Sequence, residues 1–541
     1  METGKKRMAR RGQKPDKSAA GGNKGDTNVA IERFAAIDVG SYELGMKIFE
    51  CSGERGIREI DQITHRIDLG SDTYNTGKIS QAHVQELKRV LSEYRAVMDN
   101  YRVTAYQAYG TSAIREMENT SIILNQLEQQ TGIHIDVLSN SEQRFLDYKS
   151  IASRGEAFTR IIEKGTAIVD IGGGSIQISL FDRDRLVATQ NLRLGVLRLY
   201  EQVHGLNARQ AQFESLIEEL VNSQLLVFKN LYLKDREIRN VIVVDDYISP
   251  VMQSRALTGT LDAGYVDVGT YRLFMEKLHR HNQQDIARTF GIADDNIPFL
   301  YIAGVLVKCV VEAMGAELIW APGVTLCDGM VYEYAEKQRI LPPRHDFDED
   351  IIACARTISK RYKGSRVRSE TLETIALRIF EAMREVHGLG QREQLLLRLA
   401  TLLHDCGKYI SLVNLADCSY NIIMSTEIIG LSHIEREIVA NVVRFNHSNF
   451  VYFEELEGSD LSQETYLVIA KLTAILRIAN GLDRSHKQKF RDVNISVRGG
   501  QMLIGVSTEA DITLEKGLFA RRADFFEEVF GVRPVIRQKK G

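Results

Sequence analysis

IVDIGGGSIQISLF, residues 168–181, sets three consecutive glycines inside an apolar, strand-like run. A glycine triplet there costs backbone entropy and packs nothing. What it offers is a turn of exposed backbone between two strands, with Asp170 just before it and Ser175 just after. An earlier stretch repeats the arrangement: RFAAIDVGSYELGMKIFE (33–50) reads as two strands around a tight Asp38–Ser41 turn. Asp38-Val39-Gly40 matches Asp170-Ile171-Gly172 at the same point of each unit. Two copies about 130 residues apart predict a duplicated α/β domain with one glycine turn per half.

The segments around the turns have helical spacing, as in SQAHVQELKRVLSEYRAVMDNY (80–101) and RQAQFESLIEELVNSQLLVFKNLY (209–232). Prolines at ILPPRHD mark the end of the duplicated part, and a helix-rich region follows through residue 480. VNISVRGGQMLIGVST then alternates about Gly499-Gly500 as a hairpin, and TLEKGLFARRADFFEEVFG reads as an amphipathic helix packed on it. The expected divisions are a basic disordered tail at 1–32, α/β halves at 33–165 and 166–342, an all-α region at 343–490 and a small α+β domain at 491–541.

At 541 residues the chain is too long for one core. A net charge of −3 argues against dedicated nucleic-acid binding, although the first thirty residues are strongly basic. The six cysteines are scattered without a CxxC pair, as expected of reduced thiols in a cytoplasmic protein. No apolar run reads as a membrane span.

Successive N–H groups in such a turn make an anion nest, which glycine lets phosphate oxygens approach closely. The strand-end aspartates Asp38 and Asp170 suit a metal ion beside the phosphate, and Ser41 and Ser175 add hydroxyl donors. A Walker loop is excluded, because no Lys follows and the next element is a strand. YGTSAIREMEN, between the turns, contributes Thr111, Ser112 and Arg115, which suit phosphoryl oxygens but equally a strand-to-helix cap.

AAIDVGS, GTSAIRE, SNSEQRFLDYKSIA, VDIGGGS, RLGVLRLYE and LRIANGLDRSH occur in the order and spacing of the Ppx/GppA family, which the chain resembles over about residues 33 to 530. The resemblance implies two actin-like ATPase (ribonuclease H-like) halves, an HD-like helical domain, a small C-terminal domain and a homodimer. It also implies hydrolysis of inorganic polyphosphate or guanosine pentaphosphate. The family usually reads S-G-x-E-E-A-R-L, its second Glu being the catalytic base; aligned without gaps, that position is Gln143, preceded by Glu142. A carboxylate usually follows the glycine loop, where this chain has Gln177. An amide accepts no proton, though GTPases orient water with a Gln. Glu142 would serve if the helix were rotated, and Glu43 is another carboxylate at hand. Near residue 245 the family's Ser-Gly-Thr is replaced by Asp245-Asp246, read here as a solvated turn.

LLHDCGKYI (402–410) places His404 and Asp405 together in a helix, as in HD phosphohydrolases, but Arg368, Asn480 and Asp483 fall where further ligands belong, with His447 a stray. A degenerate HD domain is expected. The combined expectation is a Mg²⁺-dependent phosphoanhydride hydrolase. Asp38 and Asp170 hold the metal, and Gly40, Ser41, Ser112, Arg115 and Gly172, Gly173, Gly174, Ser175 cradle phosphate. Gln143 or Glu142, with Asp170, acts on the water. Its rivals are a regulatory protein that binds polyphosphate or alarmone and no longer cleaves it, and a metal-dependent HD enzyme.

Overall fold

The structure is a computed structural model and describes residues 31–183, 185–206, 212–233, 236–254, 257, 264–280, 283–343, 345–455 and 461–539. The basic tail, apart from Ile31 and Glu32, lies outside the described residues.

β1 (Glu32–Val39), β2 (Glu43–Ser52), β3 (Gly56–Arg66), β4 (Ala105–Gly110) and β5 (Asp136–Val137) form one sheet, ordered β3-β2-β1-β4-β5. β6 (Thr166–Ile171), β7 (Ile176–Asp182), β8 (Arg185–Leu192), β9 (Asn240–Val244), β10 (Tyr265–Asp267) and β11 (Leu318–Trp320) form another, ordered β10-β11-β9-β6-β7-β8. Read from β8, the second sheet repeats the first: three antiparallel strands, then a parallel crossover, with β10 added at the far edge. The repeat holds in register, since Asp38 lies opposite Gly45 and Asp170 opposite Gln177. β1 and β6 are central strands covered on both faces, which is why AAIDV and AIVDI are almost wholly apolar.

One helix, Asn140–Ala152, leaves the first half and runs beneath the second; we call it the bridging helix. Ser139 caps it, with Glu142 closing the reciprocal bond in a capping box. The Leu326–Lys337 helix packs against it through Gly329, where a Cβ would stand 2.0 Å from the Leu146 carbonyl oxygen. Only a glycine permits that approach.

The helical region contains Phe347–Arg361, Arg366–Ala382, Gln391–Leu403, Leu415–Ser425, His433–His447 and Gln463–Leu482. Beyond it, β12 (Val493–Arg498) and β13 (Gln501–Ser507) form the expected hairpin, with Gly499 and Gly500 at φ 55° and 71°. A third strand, β14 (Arg533–Lys539), pairs parallel to β13. The Thr513–Phe530 helix packs on the Gln463–Leu482 helix. Apolar packing is continuous from Tyr148, Phe158 and Phe181 through Phe347 and Ile475 to Phe526.

Two readings are corrected. His404 and Asp405 do not lie in a helix: the helix ends at Leu403, and a 3₁₀ turn begins at Cys406. And two helices, within Asp294–Met314 and Gln463–Leu482, are long and apolar enough to span a bilayer, although 72% of each apolar window is buried in protein. Such burial is what core helices show.

Candidate active site

The carboxyl ends of β1, β4, β6 and β9 face one cleft, the usual ligand position on open α/β sheets. The turns that follow bring together Asp38–Ser41, Thr111–Arg115, Asp170–Ser175 and Asp245-Asp246.

The glycine turns are built for close approach and not for unusual dihedrals. None of Gly40, Gly172, Gly173 and Gly174 has positive φ. A Cβ on Gly40 would meet the Glu43 carbonyl oxygen at 2.7 Å, and one on Gly173 would meet Leu197 Cδ1 at 2.8 Å. The loop caps the Val196–Gly205 helix: Val196 N–H donates to the Gly172 carbonyl (3.0 Å), and Leu197 and Arg198 N–H to that of Gly173 (3.0 and 3.1 Å). Gly195, in the RLGVLRLYE stretch, is the counterpart, since a Cβ there would stand 2.2 Å from the Gly173 carbonyl oxygen. The loop carbonyls thus point away into a helix. Gly172 N–H donates to the Ser175 carbonyl (3.0 Å), while among the described residues the N–H groups of Ser41, Gly173 and Gly174 have no backbone acceptor. That leaves them for an anion.

Carboxylates gather at the floor. Asp38 is half-buried, and its Oδ1, which is fully buried, has no hydrogen-bond partner. Burial, then the charges of Asp246 and Glu43, push its pKa up to about 8. Asp246 is pushed up to about 7 by desolvation, then by Glu43, Asp245 and Asp170. Of the pair read as a solvated turn, Asp245 is buried and Asp246 is exposed, so the reading fails for Asp245 alone. Asp245 accepts from the N–H groups of Ile248 (2.9 Å) and Ser249 (2.7 Å), starting the Ser249–Met252 helix, and so leaves Asp246 to the cleft. Asp38 Oδ1, an orphaned buried oxygen facing the charges of Asp246 and Glu43, has the chemistry of a hard-cation ligand, although among the described residues these carboxylates are not arranged as a closed metal cluster.

The bridging helix supplies the opposite wall. Arg115 donates to the Leu138 carbonyl (2.7 Å), to Ser112 Oγ (3.1 Å) and to Gln143 Oε1 (3.4 Å), so Gln143 is the residue brought to the phosphate side. Glu142 is not: its Oε2 accepts from Ser139 N–H at 3.0 Å, and it lines a separate cavity of about 850 Å³ that also includes Lys149, Arg392 and Glu435. Gln177 is 3% exposed and donates to Thr189 Oγ1 (2.6 Å), within the sheet.

Sequence reasoning missed two groups. Arg144 reaches across to pair with the Asp170 carboxylate and donates to Ser175 Oγ at 2.9 Å. Asp147, one turn further along, is buried against Asp170; burial, then the Asp170 charge, raises it well above the usual carboxylate range. The signal for Arg144 was present, because S-G-x-E-E-A-R-L carries an alanine at its position.

The helical region brings its remnant ligands together without making a cage. Arg368 donates to Asn480 Oδ1 (2.7 Å) and lies 4.0 Å from Asp483. His404 Nδ1 donates to the Thr401 carbonyl (2.8 Å), and His447 Nε2 to that of His404 (2.6 Å). Among the described residues no cluster of three or more His, Cys, Asp or Glu is arranged to hold a metal.

Two like lobes closing a phosphate-sized cleft at paired Asp-φ-Gly turns define a protein of the actin-like ATPase class. The Ppx/GppA phosphatase family matches residues 49–338, and domain III of that family matches residues 352–521. The chain belongs to the Ppx/GppA phosphatase family. It is 20% identical over 422 residues to the guanosine-5'-triphosphate,3'-diphosphate pyrophosphatase of Vibrio cholerae, covering 77% of this chain and 81% of that one. It is 23% identical over 168 residues to exopolyphosphatase 1 of Mycobacterium tuberculosis, covering 31% of this chain and 47% of that one. A bifunctional 3-dehydroquinate synthase/phosphatase of Fusobacterium nucleatum is 23% identical over 174 residues, 31% of this chain and 26% of its own length. The chain thus spans less than half of the last two proteins. The crystal structure of the Aquifex aeolicus family member aligns with a TM-score of 0.48 and 17% identity, covering 57% of this chain and 99% of that one.

Proposed function

We propose that the protein hydrolyses the terminal phosphoanhydride bond of inorganic polyphosphate or of guanosine pentaphosphate. The observation that carries this reading is the pair of register-matched turns, Asp38–Ser41 and Asp170–Ser175, in which the N–H groups of Ser41, Gly173 and Gly174 have no backbone acceptor among the described residues. The terminal phosphate sits between the turns, with Ser41, Gly173 and Gly174 N–H groups on its oxygens. Arg115 adds a cation from the first half and holds Gln143 Oε1, so the amide orients a water in line with the terminal phosphorus. The water oxygen bonds to phosphorus, the bond to the bridging oxygen breaks, and a chain one phosphate shorter leaves beside inorganic phosphate.

Asp38 and Asp246, with Glu43 at the rim, are the residues that would hold Mg²⁺, whose charge offsets that of the phosphoryl oxygens. Asp170, already paired with Arg144, is the less available of the two strand-end aspartates. The helical region fits an HD-like scaffold without a second centre, Arg368 standing among its remnant ligands.

Phosphate release from polyphosphate and from guanosine pentaphosphate, with Mg²⁺ titrated, tests the reading. Release that needs Mg²⁺ and is lost in Asp38→Asn supports it. Failure to release phosphate from either substrate at any Mg²⁺ concentration overturns it. A second reading, a regulatory protein that binds without cleaving, is favoured by the amide at position 143. Tight binding without turnover in the wild type, with turnover appearing in Gln143→Glu, would establish that alternative.

A further inference from the structure

We propose that Arg144 is a phosphate-binding residue of this cleft, gripping the terminal phosphoryl group together with Arg115 from the two sides of Gln143. The inference rests on the hydrolase reading above and adds a residue to it.

Arg144 is 5% exposed, yet it sits on the helix wall and not in the apolar core. Its fork ends on both elements that frame the phosphate turn: Asp170 at the end of β6, and Ser175 Oγ at the end of the loop. Asn191 Oδ1 stands at 3.5 Å on the neighbouring strand. A side chain whose hydrogen bonds are all directed at the rim of an anion nest is already aimed at the anion. Its Nε is buried and has no partner.

The charges make the same point. Arg115 is held below the usual arginine range by burial, and then by the charge of Arg144. Its hydrogen bonds all go to neutral oxygens, those of Leu138, Ser112 and Gln143, and among the described residues no carboxylate lies within 4.0 Å of it. Two guanidiniums that repel one another across a glutamine, one of them in no ion pair, form a place where an anion is favoured. Planar guanidinium forks match phosphoryl oxygens pairwise, which the compact lysine head does not.

The rival role for Arg144 is structural: a counter-ion that neutralises Asp170 and goes no further. The two roles separate in the binding of tripolyphosphate at saturating Mg²⁺, measured by calorimetry. If Arg144 touches phosphate, Arg144→Met weakens binding roughly 10- to 100-fold, the scale of one charge-assisted hydrogen-bonding group. Arg144→Lys, which keeps the charge and loses the fork, then falls between that variant and the wild type. If Arg144 is only a counter-ion, Arg144→Met binds tripolyphosphate as tightly as the wild type or more tightly, and the proposal fails. Should Arg144→Met not fold, the double variant Arg144→Met/Asp170→Asn removes the ion pair whole and leaves no unpaired carboxylate, and undiminished binding there is equally fatal. A wild type that binds neither tripolyphosphate nor guanosine pentaphosphate overturns the hydrolase reading itself, and this proposal with it.

Discussion

On the hydrolase reading proposed above, the amide at position 143 orients a water but takes no proton from it, so the cleft is rich in positioning and poor in base strength. Gln143→Glu restores a carboxylate beside Arg115, and a general base is worth about 10²- to 10⁴-fold. The expected outcome is a rise in kcat for phosphate release, with the lower end of that range as a guide; a variant no faster than the wild type would count against the assigned geometry. Gly195→Ala is expected to act on the same cleft from behind. Its Cβ would press on the Gly173 carbonyl, which is backbone and cannot swing aside. Displacing the loop should cost about 1–3 kcal/mol in stability and weaken phosphate binding. Gly172→Ala, whose nearest neighbour is 3.4 Å away, is the milder control by thermal melting. At this scale the turns were legible because the duplication repeats them. Arg144 and Asp147 were not, because their reach to Asp170 depends on how the helix lies against β6, which no local spacing encodes. Asp245 misled for a related reason: an acidic residue after a strand looks solvated until its own turn folds back to bond it, while its neighbour Asp246 does stay exposed.

Among the elements, the strands of both halves and the Gly499-Gly500 hairpin were plain from period and turn residues. β14 was hidden, since the second residue of RPVIRQK, Pro534, cannot join a ladder in the middle of a sheet and is tolerated at an edge. The helical region carries a pH dependence of its own. Burial holds His404 down to about 3 and His447 down to about 4, against an ordinary 6.5, so both are neutral in the folded protein. The unfolded chain binds protons on them first as pH falls. Their contribution is complete above about pH 6.5 and is lost progressively on the way down to pH 4. Melting temperature should decline across that window, and less steeply in His447→Gln. An acid limb of unchanged slope in that variant would remove His447 from the explanation.

For the whole molecule, the continuous apolar packing from Tyr148 to Phe526 means that the bridging helix, one face of the second half and the helical region share an interior, while the first half keeps a cluster of its own. Polar ties reinforce it: Tyr148 Oη donates to Asp350 (2.5 Å), which also holds His345 (2.6 Å), and Ser141 Oγ donates to Glu427 (2.7 Å). A fragment ending at residue 342 would expose Tyr148 and Phe158 to water. It is expected to melt well below the full chain or to aggregate, as light scattering during a thermal ramp would reveal; a fragment as stable as the parent would show the shared core to be dispensable.

The bridging helix, finally, is one rigid rod about 20 Å long. Its first turn holds the water-orienting amide and a guanidinium in the cleft, and its far turns are fastened to the helical region through Tyr148 and to the Leu326–Lys337 helix through Lys149. A rod fastened at both ends transmits tilt without loss. A displacement of the helical region that tilted this helix would shift Gln143 and Arg144 against the phosphate turns, and on the hydrolase reading proposed above it would change the rate of cleavage.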